Sequence, residues 1–121
     1  MLKNYAITIL LLLLCACSTA PVKLTEAPMK TYDDHTKCAI EDNDDALKVT
    51  IHYSSYQFMP QDFAIKKECK KQLISIAEEY SEKTNHRIKP INEKDIKLSL
   101  GRNDMTAISS CEASIIAKYS E

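Results

Sequence analysis

Residues 47–53 read LKVTIHY and residues 60–80 read PQDFAIKKECKKQLISIAEEY. In the first stretch Leu47, Val49, Ile51 and Tyr53 alternate with Lys48, Thr50 and His52. That period of two predicts a strand with one buried face, continuing toward Phe58. In the second, Ile65, Cys69, Leu73, Ile76, Ala77 and Tyr80 recur three and four residues apart. This is the stripe of a helix buried along one side. Phe63 is its expected first member, and Pro60 suits the first helical position because its missing N–H is not needed there.

Toward the C-terminus, Ile96, Leu98 and Leu100 alternate with Asp95, Lys97 and Ser99, predicting a second strand. Residues 101–104, Gly-Arg-Asn-Asp, carry turn chemistry. A last strand is expected over 105–119, with Met105, Ala107, Ser109, Cys111, Ala113, Ile115, Ala117 and Tyr119 on one face. A short edge strand fits 87–91. The expected fold class is α+β, a small two-layer domain in β-α-β-β order. One amphipathic helix packs on a three- or four-stranded, largely antiparallel sheet, because only that contact buries both apolar surfaces.

The solvent side of the helix carries Lys66, Lys67, Lys70 and Lys71 early and Glu78, Glu79 and Glu82 late. That order opposes the helix dipole. Ahead of the first strand, residues 26–45 hold seven acids against Lys30 and Lys37, and read as a solvated acidic turn. A calcium loop counted from Asp42 would need Gly at position six and Glu at twelve. Leu47 and Tyr53 stand there.

The chain has 121 residues and a formal net charge of −1, with 16 Lys+Arg against 17 Asp+Glu. One domain fits that length, and the charge balance argues against nucleic acid as a partner. A single Gly excludes glycine-rich phosphate loops.

Lys3 followed by an apolar run over 5–14 has the layout of an export signal, and it is too short to cross a bilayer. The run ends in Leu14-Cys15-Ala16-Cys17, which resembles the lipobox of bacterial lipoproteins. The resemblance implies a lipidated Cys17, carrying diacylglycerol and palmitate-type chains, after cleavage behind Ala16. Cys15 departs from the residues usual at its position. Ser18 behind the lipidated Cys implies an outer-membrane address. The expected organisation is a signal peptide over 1–16, a flexible tether over 17–31 and one disulfide-stabilised domain over 32–121. The expected location is the bacterial outer membrane, with the domain facing the periplasm.

Cys38, Cys69 and Cys111 then remain in a compartment that permits disulfides. Cys69 and Cys111 lie on the two surfaces that must pack together, so they are the expected pair. Cys38 with Cys111 and Cys38 with Cys69 are the alternatives. Cys38 is left as a free thiol or the site of a covalent dimer. His35 and Cys38 lack a second tight ligand pair, so no metal is expected, and nothing calls for a cofactor. His35, His52 and His86 stand beside no recognisable nucleophile, and Glu78, Glu79 and Glu82 form no evident cleft, so no catalysis is expected. The expected role is a non-catalytic accessory subunit of an envelope assembly, of the secretion type, acting by protein–protein contact. The alternative is an immunity or inhibitor lipoprotein capping a toxin or muralytic enzyme with the acidic face 33–45. The expected interface comprises Tyr53, Tyr56, Phe58, Lys66, Lys67, Lys70 and Lys71.

Overall fold

Alternation of apolar and polar residues makes the two strands at the centre of the sheet, and everything else is placed against them. The computed structural model describes residues 18–120. Leu14 to Cys17, with the lipobox and the lipidation assigned to Cys17, lie outside the described residues. In chain order the elements are β1 (Ser18–Thr19), β2 (Lys30–Thr31), β3 (Thr36–Asp42), β4 (Ala46–Tyr56), α1 (Asp62–Lys83), β5 (Lys97–Asn103) and β6 (Ile108–Lys118). A single 3-10 turn covers Glu93–Asp95. One long helix packs on a six-stranded sheet in the order β1-β5-β6-β4-β3-β2. Every pairing is antiparallel.

The domain is therefore α+β and two-layered. Two details of the expected sheet change. The first is β3, which the acid count of 26–45 conceals. Thr36, Cys38 and Ile40 pair with Tyr53, Ile51 and Val49 on the helix side. The acids collect before the strand and at its far end. The second is the pair of two-residue strands, β1 and β2, which close the two edges.

Smaller boundaries move as well. α1 starts at Asp62, and Phe63 is exposed. Phe63 precedes Ile65 by two residues, or about 200° of helical turn, so it points away from the buried stripe. Asp62 in the first turn and Lys83 in the last both complement the dipole. β5 runs through Gly101 to Asn103, so the turn falls on 104–107. Met105, expected on the inner face of the last strand, is exposed in that turn. Residues 87–91 contribute one bridge, Ile88 with Tyr119.

Between the layers, Leu47, Val49 and Ile51 from β4 meet Ile65, Cys69, Leu73, Ile76 and Ala77 from α1. Cys111, Ala113 and Ile115 complete the contact from β6. The small residues of β6 let the helix approach closely. Cys69 Sγ and Cys111 Sγ lie in bonding contact there, both fully buried, with their Cα atoms 6.5 Å apart. That separation lies within the range disulfides span.

The end of α1 is closed by a buried serine. Ser81 Oγ donates to His86 O at 2.8 Å and accepts from Ile88 N at 3.2 Å. Asn85, with φ 57°, takes the left-handed conformation that stops a helix.

Candidate functional site

Residues 18–31, expected as a free tether, lie across the outer face of the sheet. Ser18 pairs with Asn103 and Thr19 with Arg102 at the β5 edge. The chain then crosses the sheet, where Val22 N donates to Ser99 Oγ at 2.6 Å and Leu24 N to Glu112 Oε2 at 2.8 Å. Thr25 Oγ1 bonds Glu41 Oε1 at 3.3 Å. Lys30 and Thr31 finish by pairing with Cys38 and Lys37. This strap explains why outward-facing Thr50, Glu112 and Ser114 are buried. Thr50 and Ser114 satisfy each other across β4 and β6 at 2.9 Å.

The crossing depends on Gly101. A Cβ built there would stand 2.5 Å from Thr19 O and 2.6 Å from Pro21 N and Cδ. The chain's single glycine sits where two backbones come closest.

Beneath the strap, β4 and β6 place His52 opposite Glu112. His52 Nδ1 is 3.6 Å from Glu112 Oε1, and its Nε2 is 3.3 Å from Ser54 Oγ. A serine, a histidine and a carboxylate in line can activate a hydroxyl. Here the 3.6 Å separation is beyond a normal hydrogen bond. Ser54 Oγ also bonds Ser110 Oγ at 3.0 Å, and Ser54 N donates to His35 O at 2.9 Å. The amide nearest the hydroxyl is thus already committed and does not form an oxyanion hole. Sequence reading missed this line because Glu112 reaches His52 only through strand register.

At the opposite end from β1, Asp42 joins helix and sheet. Tyr119 and Tyr80 donate their hydroxyls to its carboxylate, Tyr80 at 2.9 Å. The His86 ring stacks on Tyr119 at 3.4 Å and 4°. The bonds from Tyr119 and Tyr80 hold the Asp42 carboxyl below its ordinary value, and the nearby His86 adds to this. Burial, followed by the bond to Asp42, pushes the Tyr119 hydroxyl above the ordinary phenol range. The stabilisation from ionised Asp42 is therefore present above the unfolded carboxylate range and lost as pH falls through its lowered folded value. The Tyr119 contribution runs the other way, being present below about pH 10 and lost as pH rises toward its raised value. Asp42→Asn should flatten both limbs of the urea midpoint against pH. Unchanged limbs would rule out this link between helix and sheet.

The expected interface divides. Tyr53 faces inward, packed against the core, with its ring 6.5 Å from that of His35. Its place in the alternation of β4 puts it on the helix side, where it is half-buried. Tyr56 and Phe58 are exposed, as are Lys66, Lys67 and Lys71, while Lys70 is half-buried. Among the described residues the ion pairs are Lys48 with Glu41, His52 with Glu112 and Arg102 with Asp104. The helix lysines take part in none of them.

The acids of 33–45 do not form one compact face. Asp33 and Asp34 precede β3, while Glu41 and Asp42 end it and Asp44 and Asp45 follow it, so the length of the strand separates the two groups by roughly 20 Å. Cys38 is a half-buried free thiol on the helix side of β3. Desolvation, and then the charge of Glu79, push its pKa up, so the reactive thiolate is disfavoured.

Among the described residues no group of three His, Cys, Asp or Glu side chains is placed to hold a metal ion. Nor is any helix among them long and apolar enough to cross a membrane. In comparison with known proteins, the chain matches no family model, no curated protein and no solved structure.

Proposed function

We propose that this protein is an outer-membrane lipoprotein, anchored through Cys17, that serves as a non-catalytic accessory subunit of an envelope assembly. It works by protein–protein contact on the periplasmic side. The observation carrying this reading is the block of Lys66, Lys67, Lys70 and Lys71 on the outer side of α1, unpaired among the described residues. Four cations grouped on a rigid helix complement an acidic protein surface and steer its approach. The helix is braced from behind by the core and the Cys69–Cys111 contact, so the lysines are presented without a backbone ordering cost.

The inhibitor reading draws less support, because its acidic face is split between the two ends of β3 and Asp42 is engaged by two tyrosines.

The test is affinity recovery of the intact protein from detergent-extracted envelopes, beside a variant with all four lysines changed to Glu. The expected result is a stoichiometric envelope assembly with the native chain and its loss, by tenfold or more, with the variant. Equal recovery by both chains would remove the lysine block from the interface. Recovery of one hydrolase or toxin together with loss of its activity would replace this role with inhibition.

A further inference from the structure

Exposed large apolar side chains concentrate at one end of the domain. Tyr56 is 66% exposed, Phe58 78%, Met59 67%, Phe63 79%, Met105 83% and Ile108 39%. Scattered apolar residues on a surface need no explanation, whereas a contiguous group marks a contact. Strand register joins Tyr56 to Ile108 directly, and the loop after β4, the first turn of α1 and the turn before β6 carry the others at the same end. Tyr56 pairs with Ile108, and Ile108 with Asn103. Gln57 N donates to Ala107 O at 2.7 Å, tying the loop after β4 to the turn before β6.

Arg102 then locks both loops together. Its guanidinium donates to Gln57 O at 2.9 Å, Ser109 Oγ at 2.8 Å and Asp104 Oδ1 at 2.8 Å. Phe58, Met59 and Met105 thus project from a braced tip.

The same row of the sheet holds the beginning of the described chain. Ser18 pairs with Asn103, so one rung runs Ser18, Asn103, Ile108, Tyr56 across four strands. One peptide bond before Ser18 stands Cys17, and before that the apolar run 5–14. We infer that this tip is a membrane-docking surface, with Phe58, Met59, Phe63 and Met105 entering the headgroup–acyl boundary of the bilayer that holds the Cys17 lipid.

This inference rests on the anchored reading above, and it explains what the apolar end is for. A lipid on Cys17 brings the bilayer to that rung, because β1 leaves no slack between anchor and tip. Two acyl chains anchor the protein, and interfacial apolar side chains add to that hold and fix the domain's orientation. With the tip against the lipid, α1 rises from the surface and presents its lysines to the side. The charges around the tip are mixed. Asp33, Asp34, Asp62 and Asp104 lie in the segments that meet at this end, and so do Lys66, Lys67 and Arg102, the last paired with Asp104. Docking is therefore carried by apolar contact and does not require anionic lipid.

The chain has no Trp, so one substitution makes a single reporter. Full-length Phe58→Trp and Ile116→Trp proteins are purified from membranes, and their masses give the lipid state of Cys17. Each is reconstituted into phosphatidylethanolamine–phosphatidylcholine vesicles with brominated acyl chains. Ile116 is exposed on the outer face, away from the tip.

The expected result is a blue-shifted F58W emission that loses most of its intensity to the brominated chains, with I116W emission nearly unchanged. Equal quenching of both reporters, or of neither, overturns the docking surface. A blue shift of F58W in detergent that grows with protein concentration also overturns it, assigning the tip to a second copy of the chain. The readout applies to lipidated and unlipidated chains alike. A mass without lipid would reject the anchor while the quenching still decides the tip.

Discussion

Replacing Cys69 and Cys111 together by Ala should lower stability by about 4 kcal/mol, the entropy of closing a 42-residue separation. Both side chains are fully buried between α1 and β6, so the lost sulfur atoms add a packing deficit to the lost cross-link. For a domain of this size such a loss moves the thermal midpoint down by roughly 15–30 °C. It is comparable with the net stability of many domains. Ala at both sites leaves no buried polar group, so the change reports the bond and the packing alone. Differential scanning calorimetry of the two proteins checks it. Non-reducing peptide mapping of the protein from its native cells should first recover peptides joined through 69 and 111. Recovery of free thiols at both positions, or a midpoint shift of only a degree or two, would refute the staple.

Gly101→Val should lift the strap from the sheet. Valine favours strands more than glycine, so β5 by itself gains from the change. Its side chain nevertheless enters space held by Thr19 O and the Pro21 ring, and neither a backbone carbonyl nor a fixed ring can rotate aside. Overpacking of this kind costs about 1–3 kcal/mol, which corresponds to roughly a 5- to 150-fold loss of local protection. Hydrogen exchange reads it at the amides of Val22 and Leu24, whose partners are Ser99 and Glu112. Exchange in β4 and β6 should stay near native. Faster exchange confined to β5, with Val22 and Leu24 still protected, would show that the strap does not depend on Gly101. Were Cys17 lipidated as proposed, the freed segment would add up to ~45 Å of chain between lipid and domain.

The parts of the fold legible in the sequence are those with an undiluted period. β4 alternates strictly from Leu47 to Tyr53, and α1 repeats Ile65, Cys69, Leu73, Ile76 without interruption. Together they define the helix-on-sheet class and bring Cys69 to the face of Cys111. β3 was not legible, because its apolar positions are few and lie among acids. Thr36, Cys38 and Ile40 become an inner face only when β4 is beside them. The strap was less legible still. Residues 18–31 carry no period, and they are held by backbone donors to Ser99 and Glu112 that no pattern announces. Tyr53 and Tyr56 look equivalent as aromatics, but three residues along a strand put them on opposite faces.

The amino-acid sequence alone determined the α+β class and the inner faces of β4, α1 and β6. Those are local properties, set by which side chains recur on one side of an element. Tertiary structure alone decided that Glu112 meets His52 and Leu24, that Gly101 leaves room for Pro21, and that Ser18, Asn103, Ile108 and Tyr56 share one rung. Each of these joins residues distant along the chain, and such neighbours are created only by strand register and the close approach of backbones.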